Sequence, residues 1–278
     1  MTLTLAATPL GNPGDASPRL KQAIIDAEVI AAEDSRRFHR LAADLGVTFT
    51  ARIISFFDGN ETARTEEVLS LLHSGKKVLV VSDAGMPTIS DPGFRLTRDA
   101  IALGISVVVI PGPSAPTMAL ALSGLATDRF TFEGFLPRSS GARIAHLETL
   151  RFEERTMVFF EAPHRITDSL RDAASILGID RRAAVCREMT KTYEETVRGS
   201  LQELIDWSQS KEILGEITLV IEGVPVGAAI KSAEEIVARV REFESAGMDR
   251  KDAIATVAKE SELPKKVVYA AVVDASKS

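Results

Sequence analysis

The sequence has one cysteine, one tryptophan, two tyrosines and four histidines in 278 residues. A lone Cys186 cannot close an internal disulfide, so a disulfide-stapled scaffold is excluded. Four histidines without a spaced Cys/His/Asp set argue against a zinc centre. Basic residues are also in deficit: 33 Lys and Arg against 39 Asp and Glu leave a net charge of −6. A generic polyanion binder carries a high pI, so any nucleic-acid contact must come from local clusters. The opening MTLTLAATPLGNPGD has no basic segment followed by an apolar run, which predicts no secretory leader and a cytoplasmic location. Residues 100–127 carry no charge, but Pro111, Gly112, Pro113 and Pro116 interrupt them. They read as strand, loop and helix rather than a membrane span. Asn60-Glu61-Thr62 fits the glycosylation acceptor pattern only by chance.

What is present is a core-forming composition, 45% hydrophobic, of a size for one large or two modest domains. Short β-branched runs alternate with helical patterns. Leu3–Ala7, Val29–Ala32, Arg52–Ser55, Val78–Ser82 and Ile105–Ile110 read as strands. Pro18–Ala27, Ser35–Leu45, Thr62–Ser74 and Gly93–Leu103 read as helices between them. This alternation predicts βαβ units and a largely parallel sheet. A second set has strands at Phe130–Glu133, Met157–Phe160, Ala183–Cys186 and Glu216–Ile221. Its helices are Ala142–Leu150, Ile166–Leu177 and Leu201–Gln209. The expected organisation is an α/β lobe over 1–112, a second over 113–230 with a cleft between them, and a helical tail over 231–278. In the tail, Ser232 and Glu235 form a capping-box pattern, Gly247 stops the first helix, Asp249 caps the next and Pro264 opens a third. Val267, Val268, Ala271 and Val272 are expected to face inward. A helix-turn-helix-like binder and a packing module both suit such a trio.

Open parallel sheets hold ligands at strand carboxyl ends. Four loops there attract attention. Thr8–Asp15 is rich in Gly and Pro but matches neither the Walker A nor the dinucleotide pattern. Ser82–Gly93 carries Asp83 and Asp91; Asp91, just before Pro92, reads as turn and cap chemistry, whereas Asp83 has room for a ligand. Pro111–Ala115 ends on Ser114, a good N-cap. Glu161–Arg165 gathers Glu, His and Arg, with His164 either a base or a surface residue. Two mixed-charge segments follow strands, Glu33–Arg40 and Arg187–Glu195. Arg36, Arg37 and Arg40 beside Phe38 and His39 offer a phosphate-contacting edge, and Arg138 and Arg143 add to it.

In order, the runs TPLGNPGD, AEDSRR, SDAGMPTISDPG, PGPSA, FEGFLPR, FFEAPHR, CREMTKTYEE and ITLVIEG resemble the ribosomal RNA small subunit methyltransferase I family, within the tetrapyrrole-methylase superfamily. The resemblance covers residues 3–224, and the tail also resembles that of many members. Porphyrinoid-methylating members usually open with G-x-G-x-G-D and carry G-G-D-P at the second loop. TPLGNPGD and SDAGMP depart from that and favour the rRNA branch. The acidic-Gly-x-Gly loop of ordinary methyltransferases is absent.

The resemblance implies two α/β lobes holding S-adenosyl-L-methionine in the cleft, and a homodimer. It implies 2′-O-methylation of a decoding-region cytidine in 16S rRNA of the small ribosomal subunit, with no membrane partner. It places cofactor contacts at Leu10, Asp83, Gly85, Met86, Ser114 and Ala115, with more near Phe160, Met189 and Ile221, while Pro9 and Gly11 shape the substrate opening. A carboxylate or a lysine of lowered pKa would take the hydroxyl proton. Glu33 and Asp34 are favoured over Glu161, Lys191 and His164 because they adjoin the arginines; transfer to water needs no base. The alternatives are a corrin- or porphyrin-type methyltransferase and a non-catalytic ribosome-assembly protein.

Overall fold

The computed structural model describes residues 1–225, 233–261 and 263–275. The first lobe alternates β1 (Thr2–Ala6), α1 (Pro18–Asp26), β2 (Val29–Ala32), α2 (Ser35–Asp44), β3 (Arg52–Ser55), α3 (Glu61–His73), β4 (Val78–Val81), α4 (Phe94–Ala102) and β5 (Ser106–Ile110). These strands form a parallel five-stranded sheet in the order β3-β2-β4-β1-β5. Residues 100–127 resolve into the end of α4, β5, a turn and α5 (Ala115–Ser123). No helix among the described residues is long and apolar enough to cross a membrane.

Local chemistry explains the element starts. Ser17 accepts a hydrogen bond from the Leu20 N–H, and Pro18 follows at the first helical position. Leu20 and Ile24, one turn apart on α1, are fully buried against the sheet. The central strands β2 and β4 are buried on both faces, as the apolar runs VIAA and VLVV require.

The second lobe contains β6 (Phe130–Phe135), α6 (Ser140–Thr149), β7 (Thr156–Glu161), α7 (Ile166–Leu177), β8 (Arg182–Arg187), β9 (Glu195–Ser200), α8 (Leu201–Gln209) and β10 (Ile217–Ile221). Its sheet runs β6-β7-β10-β8-β9. Here the largely parallel pattern gives way to a mixed one. β6 and β7 are parallel, but β10 inserts antiparallel between β7 and β8, and β9 is antiparallel to β8. β9, hidden within a charged segment, was not expected from the sequence. It leads directly into α8 through a capping box between Ser200 and Glu203.

Three helices follow: α9 (Ala233–Ser245), α10 (Arg250–Glu260) and α11 (Lys265–Ala275). They share a small core of Val237, Val240, Val257, Val268 and Val272, against which Phe152 of the second lobe packs. Asp249 caps α10 as expected. Val267 is exposed rather than inward, so α11 buries a narrower stripe than its composition suggested. The Ser232–Glu235 capping box involves Ser232, which lies outside the described residues.

Candidate active site

A cavity of about 360 Å³ opens between the two lobes. The first wall begins at Thr8, whose N–H donates to the Gly85 carbonyl at 2.9 Å while its own carbonyl accepts from the Gly85 N–H at 3.0 Å. This reciprocal pair holds the loop after β1 to the loop after β4. Gly85 sits at φ +83°, and a Cβ there would stand 3.2 Å from Leu10 Cδ2. The positive φ favours glycine, and any side chain there would also have to displace Leu10 slightly.

Next to this junction the charged groups interlock. The Asp34 N–H donates to Asp83 Oδ1 at 3.1 Å, and the Asp83 N–H donates to Glu33 Oε2 at 3.2 Å. Arg37 reaches the other Asp83 oxygen at 3.2 Å. Burial pushes the Asp83 carboxyl above its ordinary pKa despite this arginine. Burial does the same to Glu33, with the charge of Asp83 adding to it.

Asp91 departs from the turn-and-cap role expected of it. It does not cap α4: the N-cap is Gly93 at φ +123°, and the orphan N–H groups of Gly93 and Arg95 donate instead to buried Glu61 at 3.0 and 3.1 Å. Asp91 thereby remains on the cavity wall, where burial first and the charge of Glu33 second raise its pKa to about 7 against a hydrogen bond from Ser82.

The second lobe supplies Phe160 and Glu161 from β7, Met189 from the turn after β8, and Gly215 to Thr218 at the start of β10. Met189 is flanked by Glu188 at φ 51° and Thr190 at φ 68°. That turn is tied down by Glu188, whose carboxylate accepts from the Glu216 N–H at 2.9 Å and from Lys191 Nζ at 2.8 Å. Ser114 and Ala115 enter from the start of α5. Ser114 is the N-cap residue, but its side chain makes no capping bond.

Of the residues expected at the cofactor, Leu10, Asp83, Gly85, Met86, Ser114, Ala115, Phe160 and Met189 line one cavity. Ile221 does not. Because β10 runs antiparallel to β7, its carboxyl end points away from the cleft, and Ile221 is fully buried beside Met157 and Ala183 in the lobe core. Ile217 and Thr218, at the opposite end, take the wall position.

Several other expectations are corrected. Asp34 is the N-cap of α2, accepting from the Arg36 and Arg37 N–H groups and pairing with the Arg36 side chain. The Arg36 hydrogen bonds hold its carboxyl far below the carboxylate range, so it is unsuited to take a proton. For Lys191, burial opposes the charge, but hydrogen bonds to Glu188 and Glu216 outweigh it and raise the pKa; it is not a lysine of lowered pKa. Glu161 is occupied by the Ala162 N–H, Arg165 and Ser169. His164 is exposed and off the cavity wall. Arg143 is buried against Asp172 at 2.6 Å, a structural pair rather than an RNA contact. Arg36 and Arg40 lie exposed on α2, four residues apart, and Arg138 is exposed before α6. Arg37 instead turns into the cavity.

Among known proteins, the model of the tetrapyrrole (corrin/porphyrin) methylases matches residues 2–205. The ribosomal RNA small subunit methyltransferase I of Mycobacterium bovis is 50% identical over 256 residues, covering 92% of this chain and 88% of that protein. Its namesake in Thermotoga maritima is 43% identical over 221 residues, covering 80% of this chain and 98% of its own. That relative has no room for a counterpart of the remaining fifth of this chain. Among solved structures, diphthine synthase superposes with a TM-score of 0.60 at 16% identity, covering 80% of this chain and 90% of that one. Uroporphyrin-III-C-methyltransferase from Thermus thermophilus gives 0.54 at 17% identity, covering 80% and 94%. At those identities the structures speak for the fold alone. The sequence relatives and the family model carry the assignment further: the chain belongs to the ribosomal RNA small subunit methyltransferase I family of the tetrapyrrole methylases.

Proposed function

We propose that the protein transfers a methyl group from S-adenosyl-L-methionine to the ribose 2′-oxygen of a decoding-region cytidine in 16S rRNA, acting on the small ribosomal subunit as a cytoplasmic homodimer. The observation that carries this reading is the likeness, over nearly the whole chain, to relatives bearing the rRNA methyltransferase name.

The cavity suits the cofactor. Its volume, about 360 Å³, lies within the range of small-molecule sites. Its wall combines apolar Leu10, Met86 and Met189 with the carboxylates of Glu33, Asp83 and Asp91. Such a wall accommodates a cationic, partly apolar molecule bearing ribose hydroxyls. When bound, S-adenosyl-L-methionine supplies an electrophilic sulfonium methyl.

The chain's own residues then have three tasks. Asp83, fixed by Asp34 and Arg37, binds polar groups of the ligand. The paired loops at Thr8 and Gly85 orient it; alignment of reacting groups is worth roughly 7–11 kcal/mol. Glu33 and Asp91, both with pKa values raised by burial and Asp91 to about 7, are poised to accept the proton of an attacking hydroxyl. Arg36 and Arg40 contact phosphates outside the cavity.

Methyl transfer is tested with labelled S-adenosyl-L-methionine and small subunits from a strain lacking the enzyme, followed by mass analysis of the nucleosides. A ribose-methylated cytidine is expected. Transfer to a tetrapyrrole and not to the subunit would overturn the reading.

A further inference from the structure

The strand β6 contains a deliberate irregularity. Phe132 pairs with Val158, but then the register shifts, so that Gly134 pairs with Phe159 and Phe135 with Phe160. Glu133 is the extra residue. Side chains alternate along an unbroken strand, which would place Phe132 and Phe135 on opposite faces. One inserted residue reverses that parity. Gly134 absorbs the turn at φ +69°, a conformation open to glycine without steric cost. Phe135 consequently joins Phe132 on the Phe160 side of the sheet. The two rings meet Phe160 edge-on at 4.9 and 5.4 Å between centroids.

Phe160 and Phe135 both line the cavity, yet Phe135 is 59% exposed. A ring anchored on one edge and bare on the rest is costly for a core residue and well suited to a stacking surface. Across the mouth lies the loop carrying the carboxylates: a Cβ on Gly134 would stand 3.8 Å from Ser90 Oγ, and Asp91 is the next residue. Ile89, also exposed, completes an apolar ledge on that side.

We propose that Phe135 is the platform on which the base of the target nucleotide stacks when its ribose enters the cavity. This rests on the reading of the protein as an RNA ribose methyltransferase. A 2′-hydroxyl can reach a site between two lobes only if its nucleotide leaves the helical stack, and an exposed aromatic ring replaces the lost neighbour. The bulge leaves that ring on the wall of the cavity that Ser90 and Asp91 also line, so that the base rests on the Phe135 side while the hydroxyl meets the carboxylates.

The test compares Phe135→Ala and Phe135→Tyr with the parent protein. It reads methyl transfer to unmodified small subunits, S-adenosyl-L-methionine affinity by calorimetry and mass by light scattering. Phe135→Ala is expected to lower kcat/KM for the subunit by about 5- to 150-fold, the range set by base–aromatic stacking. Phe135→Tyr should restore it, with cofactor affinity and mass unchanged in both. An unaltered kcat/KM overturns the proposal. A matching loss of cofactor affinity assigns the ring to the cofactor, and a change of mass assigns it to contact with a second copy; either also overturns it. A parent protein inactive on subunits sinks the methyltransferase reading itself, and this proposal with it.

Discussion

The Asp34 N–H donates to the carboxylate of Asp83 at 3.1 Å, across 49 residues of sequence. One hydrogen bond thus couples the start of α2, which carries the exposed arginines, to the cavity wall. Removing the Asp83 carboxylate leaves both the Asp34 N–H and Arg37 short of a partner. Asp83→Ala should weaken S-adenosyl-L-methionine binding at least tenfold by calorimetry while circular dichroism remains that of the folded protein. The lost hydrogen bonds should cost about 1–3 kcal/mol of stability. Normal cofactor affinity in this variant would remove Asp83 from the binding site.

Asp91 makes a pH-dependent prediction. Its pKa of about 7 means that the carboxylate form grows as pH rises through neutrality. If Asp91 takes the proton, the transfer rate should climb between pH 6 and pH 8, limits chosen to bracket roughly one unit either side of that pKa. Asp91→Asn should lose this limb. The stability sign runs the other way. Between its ordinary value of 3.8 and about 7, the folded protein keeps a proton that the unfolded chain has released. Stability attributable to this group therefore falls as pH rises through that window. Asp91→Asn should raise the stability at pH 8 by roughly 2 kcal/mol after allowance for partial exposure to water, seen as a higher melting temperature than the parent's. A rate profile identical to the parent's would shift the role to Glu33, tested with Glu33→Gln.

Arg36 and Arg37 are neighbours with different surroundings. Arg36 is exposed beside Asp34, whereas Arg37 pairs with Asp83 on the cavity wall. Arg36→Ala should weaken binding to the small subunit and reduce the slope of log K against log salt by about one. Its cofactor affinity should be unchanged. Arg37→Ala should instead weaken cofactor binding. Equal effects of the two substitutions on the salt slope would show that both side chains contact phosphate.

Glu61 tests the support of the carboxylate loop. It reaches from α3 to accept from the Gly93 and Arg95 N–H groups, doing for α4 what a local cap does elsewhere. Glu61→Ala should lower the urea midpoint by the equivalent of about 2 kcal/mol with an unchanged slope. Glu61→Gln, which keeps an acceptor, should retain most of the stability. A midpoint equal to the parent's in the alanine variant would mean that water caps α4 equally well.

The first lobe was legible because each strand is a short apolar run and each helix begins with recognisable chemistry, such as Ser17-Pro18. The second lobe was legible in its elements but not in their directions. An apolar run such as ITLVI is compatible with either orientation, and only the antiparallel pairing with β7 puts Ile217 and Thr218, rather than Ile221, on the cavity wall. β9 escaped notice because ETVRGS contributes a single apolar side chain, Val197. At the site, Gly and Pro marked the loops well. Asp91 was hidden by Pro92, which imitates a helix start, and only the positive φ of Gly93 shows that the helix begins later. Phe135 was invisible for a related reason: one residue of register decides which face it joins, and register is a property of the paired strand β7.

The cavity wall extends in sequence from Leu10 to Thr218. No contiguous fragment of one lobe contains it, so ligand capture and the folding of both lobes are a single linked equilibrium. A ligand at a hundred times its Kd adds about 2.7 kcal/mol to the free energy of unfolding. That increment stabilises the whole two-lobed body, because partial unfolding of either half releases the ligand. A thermal shift on adding S-adenosyl-L-methionine therefore measures the docking of the lobes as well as the affinity of the site.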